Sequence, residues 1–227
     1  MDLLLKIVLL LCLNSHPLLI LCDSKILVCY FPNWARYRIG MSSFLVAYYL
    51  LTFSLSYWPT KLTLGSEGKG QFTVDDIDSN LCTHVLYAFA ILDGVNYKIM
   101  IGDTRSDVTN KGYEKFVALK TKKPSLKVMI SLGGWADSND VNNKYAKLVA
   151  SPTHITTFVA SAVEFIQRHK FDGLDLHWAF PSSTADVSSG VFNLVDALRK
   201  AFIPHGYLLS ASDQIFQWQN HDGSKSI

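Results

Sequence analysis

Apolar positions along the chain form short runs that alternate with stretches of helical periodicity. Five runs rich in β-branched and aromatic residues predict strands at 26–31, 84–91, 127–132, 171–178 and, more weakly, 207–212. Apolar residues three and four positions apart predict helices at 113–120, 155–169 and 192–202. The alternation of strands with helices predicts an α/β fold with a parallel sheet and right-handed crossovers.

The predicted strands are apolar at nearly every position, which indicates a sheet that is covered on both faces. Such a sheet fits either a (β/α) barrel or a doubly wound sheet. No glycine-rich phosphate loop follows the first run. The sequence therefore disfavours a dinucleotide-binding fold, and we expect no cofactor.

One apolar segment, residues 39–64, interrupts this pattern. It carries no charge before Lys61, and its mostly apolar stretch at 43–58 is shorter than the roughly 18–20 residues that cross a bilayer. A membrane span here would also put Cys29 and Cys82 on opposite sides of the membrane. We interpret the segment as an insert. Its lack of charge and of helix caps favours translated non-coding sequence, with a buried extra helix as the alternative.

The first 22 residues predict a secretory signal peptide. They combine a single lysine, a long apolar stretch and a polar exit at Asp23 and Ser24. Its removal, near residues 20–24, predicts a secreted, extracellular protein with no membrane attachment. An uncleaved membrane anchor is the alternative.

Two of the four cysteines, Cys12 and Cys22, fall in the predicted signal peptide. The remaining pair, Cys29 and Cys82, predicts a disulfide, because a secreted chain folds in an oxidising compartment. Two free buried thiols are the alternative. No cysteine spacing matches a zinc site, and we expect no metal.

Composition narrows the classes of function. Of the 227 residues, 49% are apolar and 18% charged, as is typical of a globular domain. The 21 basic and 19 acidic residues give a net charge of +2 without a basic run, so the sequence disfavours a nucleic-acid partner. Aromatic residues reach 12%, which fits both core filling and a surface that stacks sugar rings.

The most informative stretch is FDGLDLHWAFP at 171–181. Alternate side chains of a strand share a face, so Asp175, His177 and Ala179 point the same way. At the carboxyl end of a barrel strand, that face lines the mouth of the active site. The stretch resembles the signature D-G-x-D-x-D-W-E-Y-P of glycoside hydrolase family 18, the chitinases and chitinase-like lectins.

Three further stretches, in family order, carry the same resemblance: ILVCYFPNWARYR, DDIDSNLCTHVLYAFA and KVMISLGGW. The resemblance covers residues 25–38 and about 66–215, and it implies the family's (β/α)8 TIM barrel. About five of the eight strands are present, so we expect an incomplete barrel over residues 23–227. Because an open barrel exposes apolar strand edges, we interpret the chain as a fragment or a partial gene product.

The resemblance also implies substrate-assisted hydrolysis, in which the N-acetyl oxygen of the sugar attacks its own anomeric carbon. The family's glutamate, which protonates the departing oxygen, is replaced by Ala179. The aspartate that holds the acetamido group is replaced by His177. Alanine has no proton to give, and loss of a general acid typically costs about 10²–10⁴-fold in rate. No catalytic set is intact, and we expect an inactive homologue.

Asp175 matches the family's inner aspartate, whose implied role is electrostatic support. We expect Asp175 to hydrogen-bond His177. A metal site formed by these two residues would lack a third ligand.

Residues implied in sugar binding survive better than the catalytic ones. The resemblance places seven of them along the groove: Tyr30, Trp34, Phe89, Gly133, Gly134, Trp135 and Phe180. The glycines would let the backbone approach a ligand and Trp135 would offer a stacking face, whereas core packing is the alternative for each aromatic residue. We expect the chain to bind chitin or N-acetylglucosamine oligomers. The alternative is an inactive module of a larger chitinase.

Overall fold

The computed structural model describes residues 26–34, 73–178 and 185–211. The predicted signal peptide at 1–22 and the predicted insert at 39–64 lie outside the described residues, as do Ala179 and Phe180.

A parallel sheet organises the described part of the chain. Its strands are β1 (Val28–Pro32), β2 (His84–Leu92), β4 (Lys127–Gly133), β5 (Gly173–His177) and β6 (Leu208–Ala211), which neighbour one another in that order. All five runs predicted as strands are therefore confirmed. A two-residue strand that the pattern did not predict, β3 (Ile99–Met100), pairs antiparallel with the end of β2.

Five α-helices accompany the strands within the described ranges: α1 (Gly112–Lys122), α2 (Gly134–Ser138), α3 (Lys144–Val149), α4 (Pro152–His169) and α5 (Ala185–Phe202). Helices α1, α4 and α5 confirm the three predicted helices, although α5 begins at Ala185 rather than at residue 192. The short helices α2 and α3 were not predicted, because one or two turns carry too little periodicity to detect. Short 3₁₀ turns at Val74–Asp76 and Ile203–His205 and a π-helical turn at Arg105–Thr109 complete the described elements.

Strand order decides between the two folds that the sequence allowed. The parallel strands follow one another in chain order with no reversal, whereas a doubly wound sheet reverses its order at a switch point. Right-handed crossovers then place the long connecting helices α1, α4 and α5 on the same face of the sheet, as in a (β/α)8 barrel. Among the described residues, β1 pairs only with β2, and β6 pairs only with β5.

Helix α4 shows how local sequence sets these elements. Ser151 caps its amino end by accepting a hydrogen bond from the His154 N–H, and Pro152 occupies the first turn, where no backbone donor is needed. The helix ends at Lys170, which adopts a left-handed conformation. Its buried face, at helical spacing, consists of Ile155, Phe158, Ala162, Phe165 and Ile166. No helix in the described ranges is long and apolar enough to cross a bilayer.

The outward side chains of β1 and β2 meet α1 in an aromatic cluster. The ring of Tyr87 lies 5.4 Å from that of Phe31 and 5.0 Å from that of Phe116, measured between centroids. All three residues are buried. This packing fills the outer face of β1 and β2 against α1.

A disulfide joins Cys29 of β1 to Cys82, just before β2, with the two Cα atoms 6.1 Å apart. The predicted pairing is therefore confirmed. Both residues are buried, and the bond fixes the amino ends of the first two barrel strands to each other.

Breaking this disulfide should lower the free energy of unfolding. The bond closes a sequence separation of 53 residues, for which the chain-entropy relation gives a loss of about 4 kcal/mol. Urea unfolding of the wild-type chain, followed by circular dichroism with and without reductant, measures the change. The double variant Cys29→Ser/Cys82→Ser is the control, since reductant should not move its transition. Equal midpoints for the oxidised and reduced wild-type chain would contradict the prediction.

Candidate functional site

The carboxylate of Asp175 is the polar centre of the inner face. Asp175 is only 1% exposed, yet it accepts three hydrogen bonds from three different strands. Tyr30 of β1 and Ser131 of β4 donate to Oδ2 at 3.0 and 2.6 Å, and Ser210 of β6 donates to Oδ1 at 2.7 Å. Both serines are the direct register partners of Asp175. Charge-assisted bonds of this kind offset the cost of burying the carboxylate.

The predicted hydrogen bond between Asp175 and His177 is wrong. The partners of Asp175 are the hydroxyls of Tyr30, Ser131 and Ser210 instead. The reason is geometric, because residues two apart on a strand share a face but lie roughly 7 Å apart, while cross-strand register partners lie closer. Sequence reasoning missed Ser131 and Ser210. The signal that could have found them was a serine in the middle of each of two largely apolar strands.

The imidazole of His177 lies between two aromatic rings at the carboxyl end of β5. Its centroid is 5.6 Å from that of Tyr30, with the rings nearly perpendicular, and 5.2 Å from that of Phe89. His177 is partly exposed, unlike the Asp175 carboxylate below it. The structure thus brings together Tyr30 and Phe89, which the resemblance placed along the groove, with Asp175 and His177, which it placed at the family's catalytic positions.

Two exposed tryptophans follow the carboxyl ends of parallel strands and so lie at the same edge of the sheet. Trp34 follows the end of β1 and is 50% exposed, and Trp135 lies in the first turn of α2, directly after β4, and is 51% exposed. Because a buried indole would show little surface, core packing does not account for these residues. We use "strand-end surface" for the set formed by Tyr30, Trp34, Phe89, Trp135 and His177.

Gly133 and Gly134 shape the turn from β4 into α2. Their φ angles are +112° and +80°, values that residues with a side chain rarely adopt. A Cβ on Gly133 would lie 2.5 Å from the carbonyl oxygen of His177, and one on Gly134 would lie 2.7 Å from the Phe89 ring. Both glycines are therefore required by contacts within the chain, whether or not a ligand also approaches them.

A largely buried ion pair, which sequence reasoning missed, anchors α2. Lys144 Nζ lies 2.5 Å from Asp137 Oδ1 and donates to the Leu92 carbonyl at 3.0 Å. Asp137 Oδ2 accepts the Tyr145 hydroxyl at 2.6 Å and the Leu92 N–H at 3.1 Å. Burial and the neighbouring Asp137 raise the pKa of Tyr145, which keeps its hydroxyl a donor. These bonds hold the helix that carries Trp135 against the end of β2.

A second buried carboxylate, Asp107, organises the segment after β3. It is 1% exposed and accepts hydrogen bonds from Asn33 Nδ2 at 3.1 Å, the Tyr87 hydroxyl at 2.8 Å and the Asp103 N–H at 2.9 Å. Burial raises the pKa of Asp107 above its ordinary value. The bond to Asn33 fixes the residue next to Trp34, so this carboxylate supports the β1 end of the strand-end surface.

Three carboxylates around the strand-end surface, Asp175, Asp137 and Asp107, are each engaged by protein donors, and Asp175 and Asp107 are only 1% exposed. In the described ranges, no three His, Cys, Asp or Glu side chains gather in a way that could hold a metal. The arrangement offers aromatic surface with one imidazole at its centre, which suits binding of a ring with apolar faces and polar edges.

Known proteins with similar sequences are chitinases and chitinase-like proteins. The chain is 36% identical over 194 residues to "Probable chitinase 10" of Drosophila melanogaster, an alignment that covers 82% of this chain and 7% of that protein. It is 32% identical over 186 residues to an endochitinase of Manduca sexta, covering 79% of this chain and 28% of the relative. The chain thus spans a small part of these relatives.

Solved structures give the same result. Catalytic domain 2 of the Group II chitinase of Ostrinia furnacalis superposes with a TM-score of 0.66 at 36% identity, covering 84% of this chain and 45% of that chain. Human YKL-39, described as a pseudo-chitinase with retained chitooligosaccharide binding, superposes with a TM-score of 0.60 at 28% identity, covering 83% of this chain and 44% of its own.

These likenesses agree with the sheet order and with the residues gathered at the strand ends. The family model for glycosyl hydrolases family 18 matches residues 26–224, nearly the whole chain. The chain therefore belongs to glycosyl hydrolases family 18, as a chitinase or chitinase-like protein that spans part of the family's barrel.

Proposed function

We propose that this chain is a secreted, catalytically inactive chitinase-like protein that binds chitin or N-acetylglucosamine oligomers without cleaving them. The observation that carries the proposal is the sequence at the end of β5. Ala179 stands where the family signature has its proton-donating glutamate, and His177 stands where it has an aspartate. A methyl group cannot protonate a departing sugar oxygen.

The strand-end surface supports the binding half of the proposal. Trp34 and Trp135 each expose about half of their surface, as the stacking of sugar rings requires. The residues that hold these tryptophans in place are themselves buried and hydrogen-bonded, so the surface is preorganised rather than assembled on binding.

One relative supports the combination of binding without catalysis. YKL-39 is described as a pseudo-chitinase that retains chitooligosaccharide binding, and it shares this chain's fold at 28% identity. Catalytic domain 2 of the Ostrinia furnacalis enzyme has been crystallised as a mutant with a chitooligosaccharide bound. Loss of catalytic residues and retention of a sugar-binding groove are therefore compatible in this fold.

A second candidate function is that of an inactive module within a larger chitinase. It is favoured by the 36% identity to one catalytic domain of the Ostrinia furnacalis Group II enzyme and by the 7% coverage of the Drosophila melanogaster relative. The mass of the protein in its native tissue separates the two candidates. A product near 25.4 kDa, less the signal peptide, favours the first, and a much larger product favours the second.

Secretion should remove the predicted signal peptide. When the full chain is expressed in eukaryotic cells, we expect it in the medium with an amino terminus between residues 20 and 24, as determined by mass spectrometry of the amino-terminal peptide. The Cys29–Cys82 disulfide supports this expectation, because such bonds persist in oxidising compartments. A product that keeps Met1 and stays in the membrane fraction would contradict it.

Trp135→Ala should weaken binding of an N-acetylglucosamine oligomer. Loss of an aromatic anchor at a binding surface typically costs about 2 kcal/mol, or roughly thirtyfold in Kd. Isothermal titration calorimetry measures the change. The matched control is Phe192→Ala, which removes an aromatic side chain of equal exposure (51%) from the outer helix α5 and should leave Kd unchanged. Equal losses in both variants would show that stacking on Trp135 does not carry the binding.

The chain should not release a fluorophore from a chitobiose glycoside above the uncatalysed rate. Activity should return when the barrel is completed with the remaining strands of a family-18 relative and Ala179→Glu is combined with His177→Asp. The matched control Ala179→Gln has the same shape as glutamate but no acidic proton, and should remain inactive. Hydrolysis by the purified wild-type chain, in proportion to its concentration, would overturn the claim of inactivity.

A further inference from the structure

We propose that the edge of the sheet opposite the strand-end surface is a second binding site, which takes an anionic polysaccharide. Four lysines at the amino ends of the strands form it, and we use "amino-edge surface" for this set: Lys122, Lys123, Lys127 and Lys170. The site is separate from the N-acetylglucosamine binding proposed above. Only the choice of a polysaccharide as its ligand rests on the proposed secretion.

The four lysines come from two connections that lead to the amino ends of neighbouring strands. Lys122 ends α1, Lys123 caps it and Lys127 begins β4. Lys170 caps α4 shortly before β5, which pairs with β4 in parallel. Neighbouring parallel strands lie about 4.8 Å apart, and their amino ends meet at one edge of the sheet. The tertiary structure thus gathers positive charges that are distant in the sequence.

Acidic side chains do not neutralise these lysines. Lys122, Lys127 and Lys170 are exposed, and no ion pair within the described ranges involves any of the four. By contrast, five other lysines each contact a carboxylate: Lys111, Lys115, Lys120, Lys144 and Lys200.

The connections that lead to this edge, at 77–83, 123–126, 170–172 and 203–207, contain two acids. Asp172 is paired with Lys120 at 2.8 Å and also accepts a backbone N–H of β4. Asp78 is exposed and accepts the Asn80 N–H. One exposed acid among four lysines leaves this edge positively charged, so that it attracts an anion.

Polar contacts and the disulfide fix the backbone beneath the lysines. Lys123 Nζ donates to the Cys82 carbonyl at 2.9 Å, and Cys82 is itself bonded to Cys29. Thr83 Oγ1 accepts the Leu27 N–H at 2.8 Å and donates to the Leu27 carbonyl at 3.0 Å. Because these segments are ordered before a ligand arrives, binding costs less conformational entropy.

The charge of the surface belongs to the lysines rather than to the histidine beside them. His84, at the start of β2, is the register partner of Lys127. Burial, together with the neighbouring Lys127, lowers the pKa of His84. Its imidazole is therefore mostly neutral at about pH 7, where the lysines are fully charged.

The other residues of this edge favour a polysaccharide over a membrane. Three exposed large apolar side chains in the described ranges lie here, Ile26, Leu81 and Ile203, each before a different strand and none of them aromatic. Proteins that insert into a bilayer surface typically present tryptophan, phenylalanine or leucine on one continuous apolar face next to their basic residues. Lysine is a compact point charge on a flexible stem, which suits separate sulfate or carboxylate groups along a chain.

The experiment measures binding of the full chain to heparin, a sulfated polysaccharide, by titration calorimetry at about pH 7. We expect Kd to rise as salt is raised from about 0.05 to 0.5 M, because salt screens exposed charges. Lys122→Gln/Lys127→Gln/Lys170→Asn should weaken binding about tenfold or more. Asparagine is used at 170 because Lys170 has a φ of 61°, a left-handed conformation that asparagine tolerates.

Lys98→Gln/Arg105→Gln/Lys147→Gln is the matched control. It removes the same charge from three exposed residues that also lack an ion pair in the described part of the chain, but that lie in connections after the carboxyl ends of strands. Its Kd for heparin should stay close to that of the wild-type chain. Circular dichroism reports whether each variant is folded.

A second measurement needs no substitution. Heparin should protect Lys122, Lys127 and Lys170 of the wild-type chain from acetylation, as read by mass spectrometry, and should leave Lys98 and Lys147 reactive. Equal weakening in the two triple variants, or equal protection of all five lysines, would show that net charge alone attracts heparin and would overturn the site.

Two further results would also overturn it. One is tighter binding to vesicles of phosphatidylserine and phosphatidylcholine, or to single-stranded DNA, than to heparin. The other is a wild-type chain that binds an N-acetylglucosamine oligomer but not heparin, which removes this inference alone. A chain that binds heparin but no oligomer supports the amino-edge surface and removes the proposed chitin binding instead.

Discussion

The buried carboxylate of Asp175 is the constraint on which the rest of the site depends. A carboxylate that is 1% exposed is tolerated only if its oxygens are satisfied, and here three hydroxyls on β1, β4 and β6 satisfy them. Each donor must come from the correct strand at the correct register. Satisfying one buried charge therefore aligns β1, β4 and β6 around β5 and fixes the positions of the residues one step further along, including His177.

The same principle is repeated at the loops that carry the exposed aromatic residues. Asp137 and Lys144 tie α2, and with it Trp135, to the end of β2, while Asp107 holds Asn33 beside Trp34. At the amino end of β1 and β2, the disulfide provides a covalent link in place of a polar one. Buried polar contacts between neighbouring residues thus hold the segments that carry the exposed aromatic side chains.

The hydrogen bonds that satisfy Asp175 come from Tyr30, Ser131 and Ser210, and not from the side chain of His177. The bonds that support the segments next to Trp34 and Trp135 come from the carboxylates of Asp107 and Asp137. An imidazole at 177 also fits its place physically, because its ring packs between Tyr30 and Phe89.

The sequence by itself determined the strands, the three long helices, the disulfide and several residues that lie together at the strand ends, because these depend on local periodicity and on short motifs. Only the tertiary structure decided that the parallel strands follow one another in chain order without a reversal. The same is true of the bonds of Asp175, which come from hydroxyls rather than from His177. Close contacts with His177 and Phe89, which require glycine at 133 and 134, also appear only in three dimensions. It also revealed the Asp137–Lys144 pair and the role of Asp107. The physical reason is that a hydrogen bond or a close approach between strands depends on register and distance in space, which no pattern along one strand encodes.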